Sequence, residues 1–507
     1  MAKSIMVLGT GSSVGKSIIT TGLCRVLNQD GYEVAPFKSQ NMALNSFITE
    51  QGDEMGRAQV VQAEAAGKKA HVNMNPILLK PSTDKKSQVI LKGKVFKNMS
   101  AVEYHEYKSE LKDMVKSVYD DLASENDVIV LEGAGSPAEI NLRENDLVNM
   151  GMAELSDSPV VIVGDIDRGG VFASLYGTIM LLTEEERKRV KGVIINKFRG
   201  DVEILKPGIK MLEDLIHLPV LGVVPYTHLQ IEDEDSLAER FYNRTQSEGQ
   251  IKIEVLYLPH VSNFTDFNVF ETQPDVQLRY VMRGESIGDP DILIIPGSKN
   301  TIEDLIYLRN SGLEEQIIRL SKKNKYIVGI CGGYQILGES LEDPYHTESA
   351  IPSTNGLGLL ATTTVFEQEK TTTQIEGVLE AEIPGRLAEL SASTIKGYEI
   401  HMGQTKLKEG AKPFLTICKK LNETVAISDG AINLAGNVFG TYIHGIFDDI
   451  QFTRNFLNII RREKGLDDVE SQVKDFEAFK DNEYNKLAEV LKASLDMDKI
   501  YEIIGVK

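Results

Sequence analysis

Two stretches of this chain carry residues whose types and spacing could do chemistry, and they call for different reactions. The first is Gly329-Ile330-Cys331-Gly332-Gly333, directly after the apolar run 326–330. Small residues around a nucleophile let a sharp strand-to-helix turn close without Cβ clashes. The turn would set Cys331 at the start of the following helix, where backbone N–H groups favour a thiolate. A cysteine in such a place is otherwise a small buried hydrophobe, so the motif needs a base. Two imidazoles qualify: His444 in Gly440-Thr441-Tyr442-Ile443-His444-Gly445, and His401 in Gly397-Tyr398-Glu399-Ile400-His401. Either could take the thiol proton and return it to a leaving amine, and spacing does not choose between them. Gly297, in the turn after the run 291–295, and Gly332 would supply oxyanion-hole N–H groups.

The second stretch is Gly9-Thr10-Gly11-Ser12-Ser13-Val14-Gly15-Lys16-Ser17, between an apolar run at 4–8 and a helical pattern at 18–28. Strand, glycine-rich loop, Lys-Ser and helix form the context of a phosphate-binding loop. The N–H groups of Thr10 to Gly15 would cradle phosphate oxygens of ATP. Lys16 would reach the β- and γ-phosphates, and Ser17 would ligate Mg²⁺. The usual pattern has glycine where Thr10 stands; here the glycine is one position earlier, at Gly9. Glu132 ends the apolar run 127–131, where a second Mg²⁺ contact belongs. Lys38 and Asn41 follow the run 33–37 on the edge where ligands bind in parallel sheets. Asp146, in the polar stretch 141–146, faces either a substrate or a loop ion pair.

These side chains need strands to hold them. Apolar runs at 4–8, 33–37, 127–131, 159–163, 191–196 and 219–224 alternate with helical patterns, including one at 52–67 with Glu54 near its start. A second series follows at 251–258, 291–295 and 326–330. The repeated strand–helix alternation predicts α/β architecture, two doubly wound, mostly parallel sheets in series. The polar stretch 230–250 reads as a linker. The expected domains are therefore 1–229, 251–450, and a helical extension at 451–507 packed on the second domain.

At 507 residues the chain is too long for one core. A net charge of −20 argues against nucleic acid as a partner, because phosphate backbones need a basic footprint. Three cysteines without paired spacing point to a reducing cytoplasm and away from disulfides or zinc. No apolar run reaches membrane-spanning length, and the start lacks the basic-then-apolar form of a signal peptide.

The phosphate loop with its displaced glycine, Lys38, and Glu132-Gly133-Ala134-Gly135 together resemble the dethiobiotin synthetase group of ATP-dependent synthetases. That resemblance implies phosphorylation of a carboxylate and displacement of the phosphate, with Glu54 joining Glu132 and Ser17 at Mg²⁺. The stretch 329–335 with Gly440 to Gly445 resembles the class I glutamine amidotransferases. It implies Cys331 as nucleophile and His444 as base, with His401 lining the site. Many members carry Glu two positions after this histidine; here Ile446 stands there. The strings Gln40-Asn41-Met42-Ala43-Leu44-Asn45-Ser46 and Glu54-Met55-Gly56-Arg57-Ala58-Gln59 are similar to the cobyric acid synthase family. That family implies amidation of the b, d, e and g carboxylates of adenosylcobyrinic acid a,c-diamide, with one ATP and one glutamine for each amide. Ammonia freed at Cys331 is expected to travel sheltered from water. Two other readings fit parts of the pattern. Cobyrinic acid a,c-diamide synthase would use the same two engines on other carboxylates. A partitioning-type ATPase switch would want a second lysine early in the loop, where Gly11 stands.

Overall fold

The computed structural model describes residues 2–83, 86–231, 249–473 and 475–507. The chain forms two compact units, one from 1–43, 55–234 and 477–507, the other from 44–54 and 235–476. Residues 232–248 of the expected linker lie outside the described residues.

In the first unit the apolar runs become six parallel strands. Their order is Val220–Pro225, Val190–Phe198, Val160–Asp165, Lys3–Gly9, Val128–Glu132, Val34–Phe37. Every residue of Val128–Glu132 and of Val160–Asp165 is buried, as strands covered on both faces require. From Lys3–Gly9 the helix Lys16–Gln29 leads to Val34–Phe37, two places away, while Val160–Asp165 lies on the other side. The order therefore reverses beside Lys3–Gly9, and such a switch point opens a crevice at the carboxyl ends of the strands. A separate sheet of Gln40–Met42, Ile77–Thr83, Lys86–Leu91 and Lys94–Ser100 was not expected. The helix expected over 52–67 is shorter, Arg57–Ala65, because Gly52 turns at φ 82° and Glu54–Gly56 is extended.

The C-terminal helices correct a second expectation. Phe476–Ser494 and Met497–Ile504 put Tyr484, Leu487, Leu491, Ile500 and Ile504 into the core formed by Ile5, Val7, Leu23 and Val26. Gly22 makes room for them, since a Cβ there would lie 2.3 Å from Leu491 Cδ1. Of the extension, the helix Ile450–Glu463 packs in the second unit, through Phe452, Phe456 and Leu457.

The second unit has five parallel strands in the order Val276–Val281, Ile251–Leu256, Ile292–Ile295, Tyr326–Ile330, Val438–Thr441. Ala431–Asn433 and Ala411–Lys412 extend the sheet antiparallel. A second, largely antiparallel sheet is built on the long pair Thr362–Leu379 and Thr394–Leu407, with Ile443–His444 at its margin. Its strands alternate between buried and exposed residues, so they offer no continuous apolar run to read. No helix among the described residues is long and apolar enough to cross a membrane.

Candidate active site

Cys331 follows the fully buried strand Tyr326–Ile330 with φ 51° and ψ −108°, a backbone state that costs a non-glycine residue on the order of 1–3 kcal/mol. The neighbouring glycines are obligatory. A Cβ on Gly333 would lie 1.9 Å from Ile295 O, and one on Gly329 would lie 2.6 Å from the backbone of Gly333. The thiol is almost buried and its Sγ donates to Ile400 O at 3.6 Å.

His444 stands opposite Tyr398 in the antiparallel sheet. Its Nδ1 is 2.7 Å from Asp266 Oδ2, and the other oxygen of Asp266 accepts the Gly445 N–H at 3.1 Å. Nε2, the nitrogen that must exchange protons, has no hydrogen-bond partner among the described residues. Burial alone would push this imidazole down. The Asp266 carboxylate and, after it, Cys331 outweigh burial, and the pKa is pushed up to about 10. Once it has taken a proton, the ring therefore keeps it at neutral pH.

Asp266 fills the place for which the sequence offered Ile446, which is buried apolar core. It sits on the short turn Phe264–Phe267, entered through Asn263 at φ 53°. The one local signal was polar Asn263, Thr265 and Asp266 set among buried phenylalanines. His401 is committed elsewhere: Nδ1 to Gly403 O at 2.8 Å, Nε2 to Glu399 Oε1 at 3.4 Å, ring stacked on Tyr442 at 3.7 Å. Gly297 lies against His444, and Gly332, next to Cys331 in the chain, lies against Ser298. A Cβ on Gly297 would be 3.1 Å from His444 Cε1, and one on Gly332 2.8 Å from Ser298 N.

In the first unit the loop after Lys3–Gly9 folds back over itself. A Cβ at Gly9 would lie 2.5 Å from Val14 Cγ2, which explains glycine at 9, while Thr10 N–H bonds Val163 O at 2.9 Å. Ser12 and Ser13 are exposed, and Gly15 at φ 96° opens the helix under Asn196, whose Nδ2 donates to Val14 O at 3.0 Å. Lys16 Nζ donates to Gly11 O at 2.8 Å and Gly135 O at 3.1 Å. Glu132 is the hub beside it: Oε1 takes Ser17 Oγ at 2.9 Å and Lys38 Nζ at 3.0 Å, and Oε2 takes Gln62 Nε2 at 2.5 Å.

Three expected site residues have other engagements. Asp146 accepts N–H bonds from Val148, Asn149 and Gly151 at 2.8–3.0 Å. Both of its oxygens thus secure the entry to the helix Met150–Leu155, which corrects the substrate-facing alternative. Asn41 is buried and donates to Gln59 Oε1 at 2.9 Å. Glu54 belongs to the second unit, where its carboxylate is ion-paired with Lys370 at 2.5 Å.

The comparisons with known proteins agree with this division of labour. A family model described as the CobQ/CobB/MinD/ParA nucleotide binding domain matches residues 5–237. One described as the CobB/CobQ-like glutamine amidotransferase domain matches 252–452. Cobyric acid synthase of a Thermoanaerobacter species is 56% identical over 99% of this chain and 99% of its own length. That of Streptococcus sanguinis is 56% identical over 100% and 99%. That of a Clostridium botulinum strain is 56% identical over the whole of both chains. With relatives of that identity along its entire length, the chain belongs to the cobyric acid synthase family.

Proposed function

We propose that this chain is an ATP- and glutamine-dependent amide ligase that makes cobyric acid, amidating the b, d, e and g carboxylates of adenosylcobyrinic acid a,c-diamide. The observation that carries the reading is a strained cysteine beside an imidazole paired with Asp266, on the same chain as a phosphate loop whose Ser17 meets a buried Glu132.

The Cys331 thiol gives its proton to His444 Nε2 as its sulfur attacks the side-chain carbonyl of glutamine, and the N–H groups of Gly332 and Gly297 receive the developing oxyanion. As the tetrahedral adduct collapses, the C–N bond breaks and His444 Nε2 gives its proton to the departing ammonia. The neutral ring then takes a proton from water, the hydroxide cleaves the thioester to glutamate, and the ring returns that proton to the departing sulfur. On the ATP side, the carboxylate oxygen is a poor leaving group toward ammonia. Transfer of the γ-phosphoryl group turns it into an acyl phosphate, from which ammonia displaces phosphate. Lys16 exchanges its carbonyl partners for phosphate oxygens. The residues present fit Mg²⁺: a hydroxyl and a carboxylate 2.9 Å apart at the loop are the hard oxygen donors this ion takes. Ser17 and Glu132 would hold it, and it would supply neutralisation of charge on the phosphates. Lys38, ion-paired with Glu132 at 3.0 Å, holds that carboxylate in place.

The test is a comparison of nitrogen sources. Cys331→Ala is expected to lose glutamine-dependent amidation and keep the ammonia-dependent reaction, while Lys16→Ala loses both. Glutamine use surviving in Cys331→Ala would end the assignment of the thiol.

A further inference from the structure

The pair Asp266–His444 is held by residues that come from far away in the chain. The segment 44–54 belongs to the second unit. Asn45 and Ser46 are buried in it. Ser46 N–H donates to Asn263 Oδ1 at 2.9 Å, and Asn45 Oδ1 accepts the Phe264 N–H at 3.3 Å. These two bonds grip both ends of the peptide that opens the turn carrying Asp266. Tyr398 completes the frame. Its hydroxyl donates to Ser46 O at 3.2 Å and accepts from Asn263 Nδ2 at 3.3 Å. One edge of its ring packs against Phe47 at 5.2 Å, and its face is stacked on the His444 imidazole at 5.3 Å and 21°. Farther along, Thr372 Oγ1 donates to Gly52 O at 3.0 Å and Gln374 Nε2 to Ile48 O, so the segment is fastened along its length.

We propose that Asn45, Ser46 and Phe47 are positioning residues of glutamine hydrolysis, acting through Asn263 on Asp266 and through Tyr398 on the His444 ring. The segment is continuous with the surroundings of the phosphate loop. Before it, Asn41 is bonded to Gln59; after it, Gly56 N–H donates to Asn75 Oδ1 at 3.0 Å, and the helix Arg57–Ala65 carries Gln62 to Glu132. The stretch that frames the acid–base pair is therefore anchored just before it by Asn41 and just after it by Gly56. This inference rests on the reading of Cys331 and His444 as the glutaminase.

The experiment compares wild type, Asn45→Ala, Tyr398→Phe and Tyr398→Leu in the full chain, measuring glutamate release and amidation with glutamine or with ammonium chloride. Thermal melting of each variant supplies the folding control. Asn45→Ala is expected to lower kcat for glutamine hydrolysis tenfold or more, with KM for glutamine within twofold and ammonia-dependent amidation within twofold of wild type. Tyr398→Phe keeps the stacked ring and loses the hydroxyl bridge, so its loss is smaller than that of Tyr398→Leu. A rise in KM at unchanged kcat would overturn the proposal, since the segment would then shape the glutamine pocket. A parallel fall with both nitrogen sources, or no change in any rate, would overturn it too. If Cys331→Ala hydrolysed glutamine as fast as wild type, the glutaminase reading itself would fall, a result distinct from each of these.

Discussion

Asp266→Asn is the perturbation whose size follows most directly from the geometry. The His444 ring is wholly buried and, against that burial, is pushed up to about 10 by the Asp266 carboxylate and then by Cys331. Set against the ordinary 6.5, the gap corresponds to about 5 kcal/mol of preference for the charged ring. An asparagine keeps the shape and the bond to Gly445 N–H but removes the charge. Burial then dominates, and the ring is neutral at pH 7. An amide N–H facing Nδ1 keeps the neutral ring's proton on Nε2, so Nε2 can no longer take the thiol proton, and the uncharged ring is a weak donor to the departing ammonia. A carboxylate-to-amide change at the equivalent place in a serine-protease triad costs on the order of 10⁴-fold in kcat, and a loss approaching that is expected here. The assay is glutamate release at saturating glutamine across pH, with ammonia-dependent amidation as control. Because the raised pKa keeps the imidazolium present until pH rises through about 10, the alkaline limb of wild-type hydrolysis lies near there, and in the variant it moves below about 6.5. Glutamate release within threefold of wild type, or an alkaline limb left in place, would refute the role given to Asp266.

Two further changes test the packing and the buried charges. Leu491→Ala, in the C-terminal helix, opens a cavity in the core of the nucleotide-binding unit. It should cost about 2–5 kcal/mol of stability, read as a lower melting temperature with weakened ATP use, whereas an unchanged melting temperature would place that helix outside the core. Asp429 is buried and further opposed by the Glu399 carboxylate, so its pKa is raised to about 6 despite bonds from Thr441 and Tyr442. The native state then binds more protons than the unfolded chain between about pH 4 and 6. Stability conferred below that window is lost as pH rises through it, by up to about 3 kcal/mol. Asp429→Asn removes the titration, so denaturant melts of the variant should gain on wild type from pH 4 to 6 and hold that gain above it. A difference independent of pH would show that Asp429 stays ionised.

The parts of this molecule legible in its residues are those where one local pattern decides. Buried parallel strands are continuous apolar runs, and Tyr326–Ile330 falls at its expected bounds. Cys331, His444, Lys16, Ser17 and Glu132 stand at strand ends or in glycine turns, whose chemistry is local. What escaped depends on distance. Asp266 lies 178 residues from His444 in a turn of no recognised pattern, and its role appears only when the fold joins them. The helical extension of 451–507 was visible, but a helical pattern does not say against what the helix packs; Gly22 and Leu491 decide it. Glu54 followed a family expectation for metal binding, and its pairing with Lys370 comes from a strand that alternates too much to be read as an element.

The central claim, a glutaminase and an ATP-dependent ligase joined for corrinoid amidation, is tested most directly by mass analysis of the product. The purified chain is incubated with ATP, Mg²⁺, glutamine and adenosylcobyrinic acid a,c-diamide, with ADP and glutamate measured in parallel. Stepwise gain of four amides is expected, with one ADP and one glutamate for each, and no amide in Lys16→Ala. A diamide that stays unchanged while cobyrinic acid gains two amides, or amides formed without ADP, would contradict it.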